Sequence, residues 1–218
     1  MTGIMQAVLG GTYNPPPPTT IGEAYGGGFY AGKIAVGGGG VATHYLIVAP
    51  KATGQTSELT WGPTGVTTGI TSVIAGPSNS AALAALGASY QAATFCEGLS
   101  IGAYTDWYLP AKNELEVLYY FLKPSTTSNV AGYGSNANAV SPEPISTAYT
   151  TGAPAQTSAG INFRAGESQA FSQNQYWTST EDTVNAAFNQ IFSDGRQLST
   201  GKDFWSSFYT RAVRRIPV

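Results

Sequence analysis

A chain of 218 residues is long enough for one decorated domain with a sizeable core and short for two equal ones. Only 10% of its residues are charged and the net charge is -2, which excludes general nucleic-acid binding, since that needs a basic face to displace counterions from the phosphates. With so little like-charge repulsion between copies, a packed assembly suits the composition better than dilute solution. No run of residues approaches the ~20 apolar positions of a membrane span, so membrane insertion is not expected. Met1-Thr2-Gly3-Ile4-Met5 has neither the basic region nor the apolar core of a signal peptide. The single cysteine, Cys96, forbids an intrachain disulfide and is compatible with assembly in a reducing cytoplasm.

In chain order, residues 1–20 read as an attachment arm. It ends in Pro15-Pro16-Pro17-Pro18, a stiff polyproline II spacer because proline fixes φ and removes donors. Contact with a neighbouring subunit is the expected use of this arm, and a proline ligand for an SH3-like module is the alternative. Residues 28–36 and 42–49 read as a hairpin around Gly37-Gly38-Gly39-Gly40. Those glycines are not a phosphate loop, because no Lys-Ser/Thr pair and no helix follows.

Residues 79–97 read as one helix with a Ser78-Asn79-Ser80 cap, burying Leu83, Leu86, Tyr90 and Ala93. A second helix begins with Pro110 at its first position, carries Leu115, Leu118, Tyr119 and Leu122 on one face, and stops at Lys123-Pro124. From 124 to 175 the chain becomes Ser, Thr, Asn, Ala and Gly, with only Glu143, Arg164 and Glu167 charged, too long for an ordinary connection. Strands follow over 176–180, 186–193, 196–200 and 209–216, with Asp194-Gly195 as a tight turn. From Arg196 onward there are five basic residues against the single Asp203, which predicts salt bridges back to the acidic body. Strand alternation puts Ala212, Arg214 and Ile216 on one face, so Arg214 is expected partly buried beside Glu114 or Glu181, with Arg211 and Arg215 facing outward.

Three segments carry a resemblance: Asp106-Trp107-Tyr108-Leu109-Pro110-Ala111-Lys112-Asn113-Glu114-Leu115, Tyr176-Trp177-Thr178-Ser179-Thr180-Glu181, and Arg211-Ala212-Val213-Arg214. Their order is similar to that of the C-terminal domain of bacterial collagen-like adhesins and its relatives in phage virion proteins, which have a C-type-lectin-like fold. Upstream, Gly26 to Gly32 and His44 to Lys51 resemble the opening of such domains in phage tail and fibre proteins. Trp107, Pro110, Glu114, Trp177 and Arg214 are the structural motif residues of that likeness. It implies an α+β, C-type-lectin-like domain over 21–218, with two helices, small antiparallel sheets and 124–175 as the long-loop region. It also implies a virion location after assembly in the host cytoplasm, and a homotrimer.

Enzymes of the formylglycine-generating type use related folds, but their chemistry needs an activated cysteine pair. Cys96 stands alone on the expected buried side of a helix. One histidine, His44, cannot build a zinc site by itself, and no Ser-His-Asp signature surrounds it. Glu114 with Glu116 on a helix, and Glu181 with Asp182 on a strand, diverge in direction and are poorly placed for glycosidic acid and base work. Calcium in animal lectins uses Glu-Pro-Asn and Trp-Asn-Asp; Glu143-Pro144-Ile145 matches two letters and no Trp-Asn-Asp follows, so no cofactor is expected, with calcium held by Glu181, Asp182 or backbone carbonyls as the alternative that the motifs do not support.

Metal-free sugar contacts come from aromatic faces with amide and hydroxyl groups, and Tyr133, Asn136, Asn138 and Tyr149 have that chemistry. Trp205 is the tryptophan expected on an exposed loop. The expected function is therefore a non-catalytic tail-fibre or spike component binding a host receptor or glycan. A purely structural decoration or connector protein is the alternative, with an enzyme a more distant one.

Overall fold

The computed structural model describes residues 17–206 and 208–218, so the arm expected over 1–20 lies almost wholly outside the described residues. What is described is an α+β domain built on two sheets. The first sheet has the order β1-β2-β3-β9, from Ala24–Tyr25, Gly28–Ile34, His44–Val48 and Val213–Pro217. The second has the order β4-β8-β5-β6-β7, from Gln55–Ser57, Phe208–Arg211, Gln175–Glu181, Ala186–Ile191 and Gln197–Gly201. A short α1 (Lys51–Gly54) joins β3 to β4, and α2 (Gly76–Ala85), α3 (Gln91–Glu97) and α4 (Lys112–Leu122) complete the described helices beside a 3-10 turn at Ile161–Phe163. No helix among the described residues is long and apolar enough to cross a membrane.

Strands β2 and β3 pair antiparallel across the glycine turn, from Ile34 opposite His44 to Phe29 opposite Val48. The strand expected over 209–216 is two strands. It pairs as β8 with β4 and, in parallel, with β5, then crosses at Ala212 and pairs as β9 with β3. At the crossing, the Ala212 amide donates to Gly54 O and its carbonyl accepts from the Ala49 amide, both at 2.9 Å, so neither backbone group is orphaned. This last segment is therefore the tie between the sheets.

The crossing breaks the alternation read from sequence. Arg211 is buried, not outward, and its guanidinium lies 4.6 Å from the Phe171 ring centroid, with bonds to Ala49 O and Gln169 O. Arg215 is also turned inward, toward Glu114 at 2.5 Å, with only 11% of its side chain exposed. Arg214 is buried but pairs with Asp106 in two parallel bonds of 2.8 and 2.9 Å, and not with Glu114 or Glu181. A period-2 argument holds only within one uninterrupted strand, and this segment changes sheets midway.

The helix expected over 79–97 is likewise two. Gly87 adopts φ +113, a region that L side chains avoid, and the chain turns there between α2 and α3. Leu83, Tyr90 and Ala93 are buried, whereas Leu86 is 54% exposed because it falls in the break. Pro77, in the first turn, opens α2 at Gly76, three residues before the expected start.

Helix α4 starts at Lys112, with Pro110 two residues before it; Glu114 accepts the Ala111 amide at 2.8 Å. Its apolar face places Leu115, Leu118, Tyr119 and Leu122 in a core with Leu46, Val48, Tyr176 and Phe192. A second core gathers Trp61, Tyr90, Trp107, Trp177 and Phe208, with Trp177 stacked on Phe208 at 4.1 Å. The indole N–H groups of Trp107 and Trp177 donate to Tyr104 O and Leu59 O.

The turn at Asp194-Gly195 closes β6 on β7. Gly195 has φ +80, and a Cβ there would lie 2.7 Å from the Tyr119 ring. Gly195→Ala is expected to cost about 1–2 kcal/mol from the left-handed backbone alone, lowering the melting temperature by about 2–8 °C. Calorimetry checks this, and an unchanged melting temperature would contradict the tight contact.

Candidate functional site

Helix α4 is buried along Asn113 to Tyr119, so its polar residues must find partners inside. Glu114 finds them in Arg215 and Tyr108, and Asn113, Glu116 and Tyr119 find them in the 124–175 excursion. Glu116 accepts from Asn136 Nδ2 and from the Tyr149 hydroxyl, both at 2.6 Å, while Asn113 Nδ2 donates to Asn138 Oδ1 at 2.7 Å. Asn138 continues to the first sheet, donating to Ala35 O at 2.7 Å. Asn129 makes a second anchor, accepting from Tyr119 and Lys123 and donating to Thr150 O and Pro154 O.

Asn136, Asn138 and Tyr149, read from sequence as ligand contacts, are therefore internal, at 0%, 7% and 5% exposure. Their amides and hydroxyl satisfy groups of α4 and the Ala35 carbonyl just after β2, and are not free for a sugar. Tyr133 is half-buried against the α4 core. Trp205 alone of the five candidates stands well out, at 52% exposure.

The network holds an acidic pair that sequence reasoning did not find. Glu143 is 3% exposed, approaches Glu116, and leaves its Oε2 buried without a hydrogen-bond partner. Burial pushes both carboxyls up, Glu143 further because the Glu116 charge adds to it. Protonating the pair relieves the repulsion of two buried carboxylates, and Glu143 is the member pushed further toward its neutral form. The available signal was a lone acid in an otherwise almost neutral stretch.

Above these anchors the excursion turns a nearly uncharged surface to solvent. Of its three charged residues, Glu143 is internal, Arg164 is half-buried and bonded to Thr157 O and Ser158 O, and Glu167 is exposed. Ser135, Thr147 and Thr151 represent the rest. A shallow cleft of about 300 Å³ opens on this surface, lined by Ile21, Tyr120, Phe121, Gln156 and Thr157 among others. Rings, an amide and hydroxyls meet there without a charge.

The groups weighed for catalysis do not gather. Cys96 is fully buried and its thiol is pushed up by burial; His44, on β3, is lowered by desolvation and by Arg215. Glu114 is committed to Arg215 and Tyr108, Glu116 to the excursion, Glu181 to Lys202, and Asp182 to the Ser199 hydroxyl. No group of three or more His, Cys, Asp or Glu among the described residues is placed to hold a metal. Comparison of the chain with protein-family models, curated proteins and solved structures finds no match.

Proposed function

We propose that this protein is a virion component of tail-fibre or spike type whose domain, of C-type-lectin-like fold, binds a host-cell surface without catalysis. The single observation that carries this reading is the excursion: about fifty residues with almost no exposed charge, held rigid from beneath by buried amide and carboxyl bonds. A surface ordered before contact loses little entropy on binding, and hydroxyl and amide groups beside aromatic rings suit glycans or neutral protein faces. Weak contacts repeated in a homotrimer gain strength through effective concentration, while the proline-rich arm joins the domain to other virion proteins.

Purified assembled protein is expected to bind host cells and compete with phage adsorption. The double variant Ser135→Arg, Thr147→Arg changes only exposed positions and should weaken adsorption at least about tenfold with the melting temperature unchanged. Assembled wild-type protein that leaves cells bare would replace this reading with the structural decoration or connector role.

A further inference from the structure

Phe204 and Trp205 are the two exposed aromatic side chains among the described residues, each at 52%. They sit on the connection between β7 and β8, at the end of β7 opposite to the turn where the Val130 amide bonds Asp194 O. Five strand residues separate the two ends, about 17 Å, so this loop lies apart from the excursion's anchor on that turn. The loop is pinned at both sides. Lys202 before it is wholly buried, the Phe204 amide donates to Gly201 O at 3.0 Å, and the Phe208 amide donates to Trp205 O at 3.2 Å. Beneath, Phe204 meets Phe208 edge-on at 5.8 Å, and Phe208 stacks on Trp177, which ties the exposed ring to the core.

A cleft of about 190 Å³ opens at this point, lined by Asp203, Phe204, Trp205 and Ser206. Its chemistry is mixed: two aromatic rings, a carboxylate and a hydroxyl, all on exposed residues. A protein partner of ordinary affinity covers about 800 Å² on each side, far more than a four-residue rim presents, and an apolar peptide would gain nothing from a carboxylate in its seat. A pyranose ring matches the mixture. Its C–H face stacks on an indole or phenyl ring, while its hydroxyls donate to a carboxylate and exchange bonds with a serine.

We propose that the Asp203–Ser206 loop is a carbohydrate subsite for a neutral hexose or hexosamine ring, seated on Trp205 and hydrogen-bonded by Asp203. Anionic sugars are disfavoured, because the Asp203 carboxylate would face theirs. The subsite stands independently of what the excursion binds.

The test uses the full chain with methyl α-D-glucopyranoside, methyl α-D-galactopyranoside and N-acetyl-D-glucosamine as probes, and D-glucuronic acid as the anionic control. At least one neutral probe should shift the Trp205 indole N–H resonance, with a dissociation constant in the millimolar range expected of a single ring. Trp205→Ala should weaken that binding at least tenfold and Asp203→Asn about threefold to tenfold, both with unchanged melting temperatures. The glucuronic acid control should bind more weakly than the neutral probes. Three results overturn the proposal: no response to any neutral sugar, unchanged affinity in Trp205→Ala, or wild-type self-association through this loop that Trp205→Ala abolishes. Failure here with host-cell adsorption intact leaves the excursion reading standing, and the reverse pattern leaves the subsite standing.

Discussion

Replacing Lys202 by Met is expected to remove about 3–5 kcal/mol of stability, the usual cost of taking one partner from a buried ion pair. Lys202 is 0% exposed, donates to the Glu181 carboxylate, to Val66 O at 2.8 Å and to Val184 O at 3.0 Å, and lies 5.0 Å from the Trp61 ring centroid. Three connections thus close on one ammonium group. Without it, Glu181 keeps the amides of Thr68 and Gly69 but loses its countercharge in a site with 2% side-chain exposure. The melting temperature should fall by about 6–20 °C, read by calorimetry, and Lys202→Met with Glu181→Gln together should recover part of the loss. A single-variant loss below about 1 kcal/mol would mean the pair is far better solvated than its burial implies.

The pair also has a pH signature. Burial raises the Glu181 carboxyl, but the Lys202 and amide hydrogen bonds outweigh it and hold the group below its ordinary value. Its contribution is therefore present above the ordinary carboxylate range and lost as pH falls through the depressed folded value.

Glu143→Gln is expected to do the opposite of most core substitutions and stabilise the protein at pH 8. Glu143 faces Glu116 from α4 and Tyr149 and Asn136 from its own excursion, with Tyr120 also within reach of its charge and no cation among the described partners. Its folded-state carboxyl is raised above the ordinary value of 4.5, so the native state holds a proton that the unfolded chain releases. The sign follows: stability is fullest below that ordinary value and declines as pH rises toward the raised folded value, by about 1.4 kcal/mol per pH unit where the difference is one whole proton. Glutamine keeps a donor toward Glu116 and cannot ionise. Denaturant titrations from pH 5 to 9 should show a falling wild-type curve and a flatter variant curve, with the variant ahead by about 2–4 kcal/mol at pH 8. Parallel curves would dispose of the shared-proton account. Because the pair clamps the excursion to α4, alkaline loosening should appear first in the amides around Asn136 and Tyr149.

Much of the element order was legible. Alternating β-branched and aromatic residues on either side of four glycines mark a hairpin, and Leu115, Leu118, Tyr119 and Leu122 ahead of Lys123-Pro124 mark a helix, because each signal is local and agrees with its neighbours. The α2–α3 break was less legible, since Gly87 is tolerated in a helix as readily as it ends one. The split at Ala212 left no local trace at all, because both halves of 208–217 are good strand sequence and only pairing with different sheets separates them.

The excursion shows the limit most sharply. Asn136, Asn138 and Tyr149 carry the same chemistry whether they meet a ligand or the interior, and composition does not record which way an amide turns. Buried Glu116 and Asn113 on a helix enclosed along its length drew them inward, and no signal near residue 136 announces what residue 116 lacks. What the chain by itself determined is the class of its elements, its scarcity of charge and its neutral central stretch. Tertiary structure alone decided which carboxylates are paired, which share a proton and which aromatic rings face solvent, because those outcomes depend on desolvation by residues distant in sequence.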